Sequence, residues 1–200
     1  MPSKHRKTRS QETRLKILQS ARKLLVERGY HGVGLEEVAR KAGISRQALY
    51  LHFASKAELL VATVRYNDEM IKVPETLRPV RDAKTALEAL EAGIDAYGAI
   101  EPQIYDVASV AYSARRSDEA AEAAWQDRMA FRRGNIRQVM ERLSEEGMLD
   151  VDWSVDEATD FAWALASVHM YEYLVVERGW SVEQLVARLK QVMRANLVAP

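Results

Sequence analysis

The chain has 200 residues, 48% of them hydrophobic, and equal numbers of basic and acidic side chains, 29 of each. It contains no cysteine, which excludes disulfides, thiolate zinc sites and a cysteine nucleophile. Nine Gly and five Pro among long Ala-, Leu-, Glu- and Arg-rich runs favour an all-α protein.

The balanced total charge hides an uneven distribution along the chain. Residues 1–56 contain 13 Lys and Arg against 4 Glu, a net charge of +9, so that the remaining residues carry −9. A basic first quarter on an acidic remainder indicates that one end meets a polyanion. A solvated basic tail would account for residues 4–9 alone, but the excess continues into sequence with helical periodicity.

The first residues predict an arm followed by two helices. Residues 1–10 are basic, polar and without periodicity, which is typical of disorder. Apolar residues at helical spacing predict helices over 11–28 and 35–42, and Gly29 and Gly43 are suited to end them.

Two serines then mark the starts of further helices. Ser45 is a suitable N-cap for the short stretch RQALYLHF. Ser55 and Glu58, three residues apart, form a capping-box pattern that opens a helix from 56 to about 71.

The rest of the chain predicts a connector and five more helices. The segment 73–82, with Pro74 and Pro79, is interpreted as the connector. Pro102 is expected to break a helix, and so is the segment 116–118. The predicted helices cover 83–100, 103–114, 118–146, 155–178 and 181–197.

The segment GISRQALYLHF, residues 43–53, fits the second half of a helix-turn-helix unit. Gly43 tolerates the positive φ that the tight turn needs. Arg46 and Gln47 stand at the start of the second helix, and each side chain can bond two atoms on one base edge in the major groove. The small and aliphatic residues for the inner face are Val38, Ala39, Ala42, Ile44 and Leu49.

The stretch GYHGVGLEEVARKAGISRQALYLHFASKAELL, residues 29–60, resembles the DNA-binding signature of TetR-type transcriptional repressors. The resemblance covers about the first third of the chain. The matching positions are Gly29-Tyr30, Val38-Ala39, Ala42-Gly43-Ile44-Ser45, Leu49-Tyr50, His52-Phe53 and Ser55-Lys56. It implies a basic arm and three-helix DNA-binding domain over 1–56, and a helical effector-binding and dimerisation domain over 57–200, with about nine helices in all.

By this resemblance, seven residues are expected to contact DNA. Arg46, Gln47 and Ala48 fall in the base-reading positions next to Ser45. Tyr50, His52 and Lys56 fall where the family contacts phosphates, and a hydroxyl, an imidazole and an ammonium all suit a phosphate. Without the resemblance, Tyr50 can also be interpreted as a residue packed against the first helix, and Lys56 as an ordinary surface lysine.

The sequence departs from the family pattern at two places. Val33-Gly34 stands where a phosphate-binding Thr or Ser is common, and Gln47-Ala48 stands where Gly-Thr is common. The second change alters the base-reading surface, so no operator sequence follows from the resemblance.

The resemblance also implies a homodimer, paired through the last two helices. Both helices carry apolar stripes, which alternatively pack only on their own chain. The predicted interface residues are Phe161, Leu165, Val168, Leu185, Leu189 and Val192. Aspartate at Leu185 and Leu189 together is expected to give a monomer that no longer binds operator.

A small-molecule cavity is the third implication of the resemblance. Aromatic residues are frequent in the middle helices, although most aromatics on buried helices are ordinary core. The predicted lining is Tyr97, Tyr105, Tyr112, Met129 and His169, and the expected effector is apolar or aromatic. His169 also reads as a hydrogen-bonded core histidine.

The expected function is therefore a cytoplasmic DNA-binding regulator, a repressor released from a palindromic operator by a small molecule. No signal peptide or membrane span is expected, since the best candidate segment, 161–176, is short and contains His169 and Glu172. An architectural DNA-binding protein without a ligand is the nearest alternative. An all-helical enzyme is the other, but no catalytic motif, metal site or cofactor site is recognisable.

Overall fold

The regular structure is helical throughout the part of the chain that the computed structural model describes, residues 4–199. The extended pairing within that part is one bridge between Leu149 and Val198 near the C-terminus. The predicted all-α class is confirmed.

Four helices begin the chain: α1 (Lys4–Arg28), α2 (Leu35–Lys41), α3 (Arg46–Tyr50) and α4 (Lys56–Met70). Apart from the start of α1, these helices follow the prediction to within three residues; the largest difference is at α3, which ends at Tyr50 instead of Phe53. The prediction that residues 1–10 are disordered is wrong for residues 4–10, which form the first turns of α1. Residues 1–3 lie outside the described part of the chain. Lys, Arg and Gln are good helix formers, and no Gly or Pro interrupts them here.

The predicted connector contains two short helices, α5 (Val73–Thr76) and α6 (Arg78–Asp82). Its two prolines each lie in the first turn of one of these helices. Proline is tolerated there because the N–H groups of the first turn have no partner within the helix. Pro74 and Pro79, which were expected to keep this segment irregular, therefore lie in the first turns of two short helices.

Helix α7 (Ala86–Ala114) runs without interruption through Pro102, where the sequence predicted a break. Proline removes one backbone N–H and presses its ring towards the carbonyl four residues earlier, that of Gly98. One lost hydrogen bond is a small fraction of those in this 29-residue helix. Buried side chains lie on α7 both before and after Pro102, among them Tyr97 and Val107, and their burial offsets the lost hydrogen bond.

The next helix, α8 (Glu119–Glu145), agrees with the prediction, and so does the last one, α11 (Val182–Leu197). Between them, the predicted helix 155–178 is divided. Helix α9 (Val155–Leu165) ends, Ser167 caps the short α10 (Val168–Tyr171), and a π-helical segment (Glu172–Glu177) follows.

The chain forms two compact units. The first contains the residues up to Met70 together with Asp106–Gln126, and the second contains Ile71–Tyr105 and the residues from Asp127 onward. Each unit has its own apolar core. The boundaries of these units differ from the predicted domains 1–56 and 57–200, because α4 packs with α1 in the first unit.

Two glycines of α7 offer a test of packing in the second unit. A Cβ added at Gly98 would lie 2.3 Å from Cγ2 of Val186 on α11, whereas a Cβ at Gly93 meets nothing within 4 Å. We therefore expect Gly98→Ala to lower the free energy of unfolding by about 1–3 kcal/mol through overpacking. Gly93→Ala, the matched control, should raise it by about 0.5–1 kcal/mol through helix propensity. Equal effects in urea unfolding would contradict the close approach of these helices.

Candidate nucleic-acid interface and ligand site

The turn between α2 and α3 has the geometry of a helix-turn-helix unit. Gly43 has φ of +69°, a conformation that L side chains rarely adopt. Beyond it, Leu49 is completely buried and anchors α3 against a core that includes Val38 and Ala39 of α2. Since α3 buries this one side, its other side is left open to solvent.

The N-terminal end of α3 presents polar groups. Ser45 caps the helix by accepting a hydrogen bond from the Ala48 N–H at 3.1 Å, and the side chains of Arg46 and Gln47 are exposed. Arg46 forms an ion pair with Glu36 of α2, and its guanidinium carbon lies 5.6 Å from the ring centre of Tyr50. An exposed ion pair of this kind contributes little to stability, so it can give way when another partner arrives.

Of the other predicted DNA contacts, Tyr50 is exposed, whereas Ala48 and His52 are half-buried. The carbonyl of His52 accepts a hydrogen bond from Arg14 of α1 at 3.5 Å. The Arg14 guanidinium carbon also lies 4.4 Å from the ring centre of Phe53, which is buried. These contacts fix the C-terminal end of α3 on the first helix.

Lys56 begins α4 and lies against Tyr30 rather than in open solvent. Its ammonium is 4.3 Å from the ring centre of Tyr30, and the Tyr30 hydroxyl donates to Asp118 at 2.6 Å. Partial burial lowers the pKa of Lys56, and the charge of Asp118 opposes that change. The Tyr30 hydrogen bond lowers the pKa of Asp118, whereas burial and the same hydrogen bond raise the pKa of Tyr30.

Lys56→Ala should weaken binding to every DNA sequence alike. If the ammonium contacts one phosphate, its loss should reduce the slope of log K against log salt concentration by about one. Titrations of operator and random duplexes at several salt concentrations measure this slope. Lys23→Ala, an exposed lysine of α1, removes the same charge as a control. A loss confined to operator DNA would contradict the phosphate role.

Three of the five residues predicted to line a ligand cavity meet around α10. Tyr97 of α7 is buried and donates its hydroxyl to the Ser167 carbonyl at 2.9 Å. Tyr105 donates to a carboxylate oxygen of Glu172 at 2.9 Å, and Nδ1 of His169 lies 3.9 Å from the other oxygen.

The two other predicted lining residues lie elsewhere. Met129 is a half-buried residue of α8 in the second unit. Tyr112 belongs to the first unit, where its ring centre lies 5.2 Å from that of Trp125 and 4.3 Å from the Arg115 guanidinium carbon. A cavity of about 520 Å³ opens nearby, lined by residues 115–119, Glu122 and Ala123, and none of the five predicted residues lines it.

The sequence reasoning missed a buried acid in the second unit. Glu101 of α7 is 1% exposed and pairs with Arg132 of α8 at 3.4 Å. Arg132 also donates to the Ala166 carbonyl, and its guanidinium carbon lies 5.6 Å from the ring centre of Tyr97. Burial raises the pKa of Glu101, and the charge of Arg132 opposes this.

The six residues predicted to form the dimer interface differ in their exposure within one chain. Leu185 and Leu189 are 1% and 4% exposed and lie in the core of the second unit, and Val168 is buried there as well. Side chains that their own chain covers cannot form the face that meets a second copy. Phe161 and Leu165 are half-buried, and Val192 is 38% exposed.

The described residues contain neither a cluster of metal-ligating side chains nor a membrane-spanning helix. Between residues 4 and 199, no group of three or more His, Asp or Glu side chains is placed to hold a metal ion. None of the helices in that range is both long enough and apolar enough to span a bilayer.

Comparison with known proteins agrees with the helix-turn-helix geometry. Residues 17–63 match the family model described as bacterial regulatory proteins, tetR family. The transcriptional activator FasR of Mycolicibacterium smegmatis is 40% identical over 87 residues, which are 42% of this chain and 40% of FasR. The chain thus spans less than half the length of this relative.

Other matches extend over nearly the whole chain. The transcriptional repressor BepR of Brucella suis is 26% identical over 97% of this chain and 96% of its own. A putative transcriptional regulator from Saccharomonospora viridis, solved in complex with choline, has a TM-score of 0.78 at 21% identity, covering 95% of this chain and 100% of that one. Residues 17–63, which contain the helix-turn-helix unit, are thus similar to bacterial regulatory proteins of the tetR family.

Proposed function

We propose that the protein is a sequence-specific DNA-binding transcriptional regulator, a repressor that a small molecule releases from a palindromic operator. The observation that carries the proposal is the exposure of Arg46 and Gln47 at the N-terminal end of α3, while Leu49 buries the opposite side. Both side chains suit bidentate contacts with base edges in the major groove. The +9 charge of residues 1–56 supplies the attraction to phosphates. The DNA and its regulator would then meet in the cytoplasm.

A second copy of the chain is part of the proposal, because one short recognition helix makes few base contacts. The surface that we assign to the pairing includes Val192 of α11 with Tyr173 and Val176 of the π-helical segment. The last two are 57% and 52% exposed. Exposed apolar side chains mark a surface that another protein covers when they form one continuous patch, which the pairing proposed here requires of these three residues.

The effector is proposed to bind in the second unit, near α10. The choline complex of the Saccharomonospora viridis regulator supports a small-molecule ligand in this fold. The broken helix supports it from within the chain, since π-helical segments are frequent at functional sites. An apolar or aromatic body fits the tyrosines of this region.

Fluorescence anisotropy with labelled duplexes tests the proposal. At low ionic strength we expect binding to any duplex. A regulator should remain bound to its operator when unlabelled competitor DNA of other sequence is added. If added salt weakens binding to all sequences equally, the protein is instead an architectural DNA-binding protein. No binding at low ionic strength would overturn the proposed function.

A further inference from the structure

The side chain of Glu101 is buried without enough hydrogen-bond donors. It is 1% exposed, and its Oε1 has no hydrogen-bond partner among the described residues. The other carboxylate oxygen lies 3.4 Å from Arg132, whereas a charge-assisted hydrogen bond is usually about 2.7–2.9 Å. Burying a carboxylate in this way is costly unless a donor reaches it.

Arg132 reaches only Oε2 of Glu101, and the polar side chains of this region also donate to other acceptors. The Tyr97 hydroxyl donates to the Ser167 carbonyl, and the Tyr105 hydroxyl donates to Glu172. Arg132 donates to the Ala166 carbonyl. These donors serve the broken helix after α9, so Oε1 of Glu101 is left for a group from outside the chain.

The effect of burial on the pKa of Glu101 is larger than the opposing effect of the charges nearby. Burial raises the pKa of Glu101 although both Arg132 and Arg128 act in the opposite direction. An acid held ionised here lowers stability, and such residues are concentrated at binding and catalytic sites.

Aromatic residues lie one helical turn before and one turn after Glu101 on α7. The ring centre of Tyr97 lies 5.6 Å from the guanidinium carbon of Arg132, and those of Tyr105 and Tyr171 lie 5.4 Å apart. Tyr97, Glu101 and Tyr105 recur at intervals of four residues along α7, which places them on one face of the helix. Faces of aromatic rings attract cations as well as apolar groups.

We propose that this cluster binds a small protonated amine with an apolar body. An N–H of the ammonium donates to Oε1 of Glu101, and the apolar part packs against Tyr97, Tyr105 and Tyr171. This inference rests on the proposed function, whose effector it assigns to a chemical class.

Isothermal titration calorimetry on the purified chain without DNA tests the proposal. The probes are n-butylamine, n-hexylamine and 2-phenylethylamine, each compared with the alcohol of the same skeleton. We expect at least one amine to bind once per chain, and its alcohol to bind at least about tenfold more weakly, as a lost charge-assisted hydrogen bond predicts.

Two variants identify the carboxylate. Glu101→Gln keeps the side-chain volume and should weaken the amine by about ten- to a hundredfold while raising the melting temperature. A side chain with only a structural role would lower the melting temperature when replaced. Glu145→Gln removes the same charge from an exposed position of α8 and should leave amine binding unchanged.

The proposal is overturned if none of the three amines binds, if the alcohol binds as tightly, or if Glu101→Gln leaves the amine affinity intact. Any of these results would mean that Oε1 of Glu101 needs no hydrogen-bond donor from an amine ligand, because water supplies one. DNA binding measured on the same preparation separates the two proposals. A chain that binds DNA but no amine loses only the present inference, and a chain that binds no DNA loses the proposed function.

Discussion

Leu185→Asp is expected to abolish the cooperative unfolding transition of the chain. The leucine is 1% exposed in the core of the second unit, so the substitution buries an unpaired carboxylate and removes apolar contacts. Such changes cost about 4 kcal/mol or more, a large part of the stability of a typical domain. Circular dichroism during heating and sedimentation velocity measure the result.

Val192→Asp is the matched control on the same helix, α11. Its side chain is 38% exposed, so the chain should keep its melting transition. If Val192 lies in the contact between two copies, the variant should sediment as a monomer. A folded, monomeric Leu185→Asp variant would contradict the burial of this side chain and restore it to the interface.

Arg46→Ala and Gln47→Ala are each expected to relax sequence preference at one position of each operator half-site. Both side chains are exposed at the N-terminal end of α3, where each can bond two atoms of one base. The ratio of operator to random-DNA affinity should fall by about five- to a hundredfold for each lost bidentate contact. Competition titrations with single-base operator variants measure it.

Arg40→Ala supplies the control for charge. This exposed arginine of α2 pairs with Glu37 at 3.7 Å and does not lie on α3. Its removal should lower affinity for all DNA to a similar extent, or leave affinity unchanged, without altering base preference. Unaltered preference in Arg46→Ala and in Gln47→Ala would show that the bases are read by other residues.

The first unit could be predicted closely because local rules decide it. A glycine at positive φ, the N-cap Ser45 and the buried Leu49 specify the helix-turn-helix geometry within about ten residues. What local rules could not show was the pairing of Arg46 with Glu36, or of Lys56 with Tyr30. Those contacts join different helices and depend on tertiary packing.

The second unit was predicted less well, and Pro102 shows why. A helix ending at Pro102 separates Tyr97 from Tyr105 and hides their common face with Glu101. Because packing carries α7 through the proline, the three side chains share one face. A continuous helix would have been the signal for Glu101, since an acid between two tyrosines at four-residue spacing marks a polar group in a buried row.

The same limit applies to the last helices. An apolar stripe shows that a helix face is covered, but not whether its own chain or a second copy covers it. The stripe of α11 is used within the chain, and at the break the carbonyls of Ala166 and Ser167 accept hydrogen bonds from Arg132 and Tyr97. The sequence therefore predicted that these faces are buried but not what buries them.

We propose that α3 enters a DNA groove and that a second copy of the chain holds another α3 at a fixed distance. Selection of bound duplexes from a random pool tests it most directly. We expect a palindrome whose half-sites are about one helical turn, or a whole number of turns, apart. Recovered sequences with no common motif, or a single half-site without a repeat, would contradict the claim.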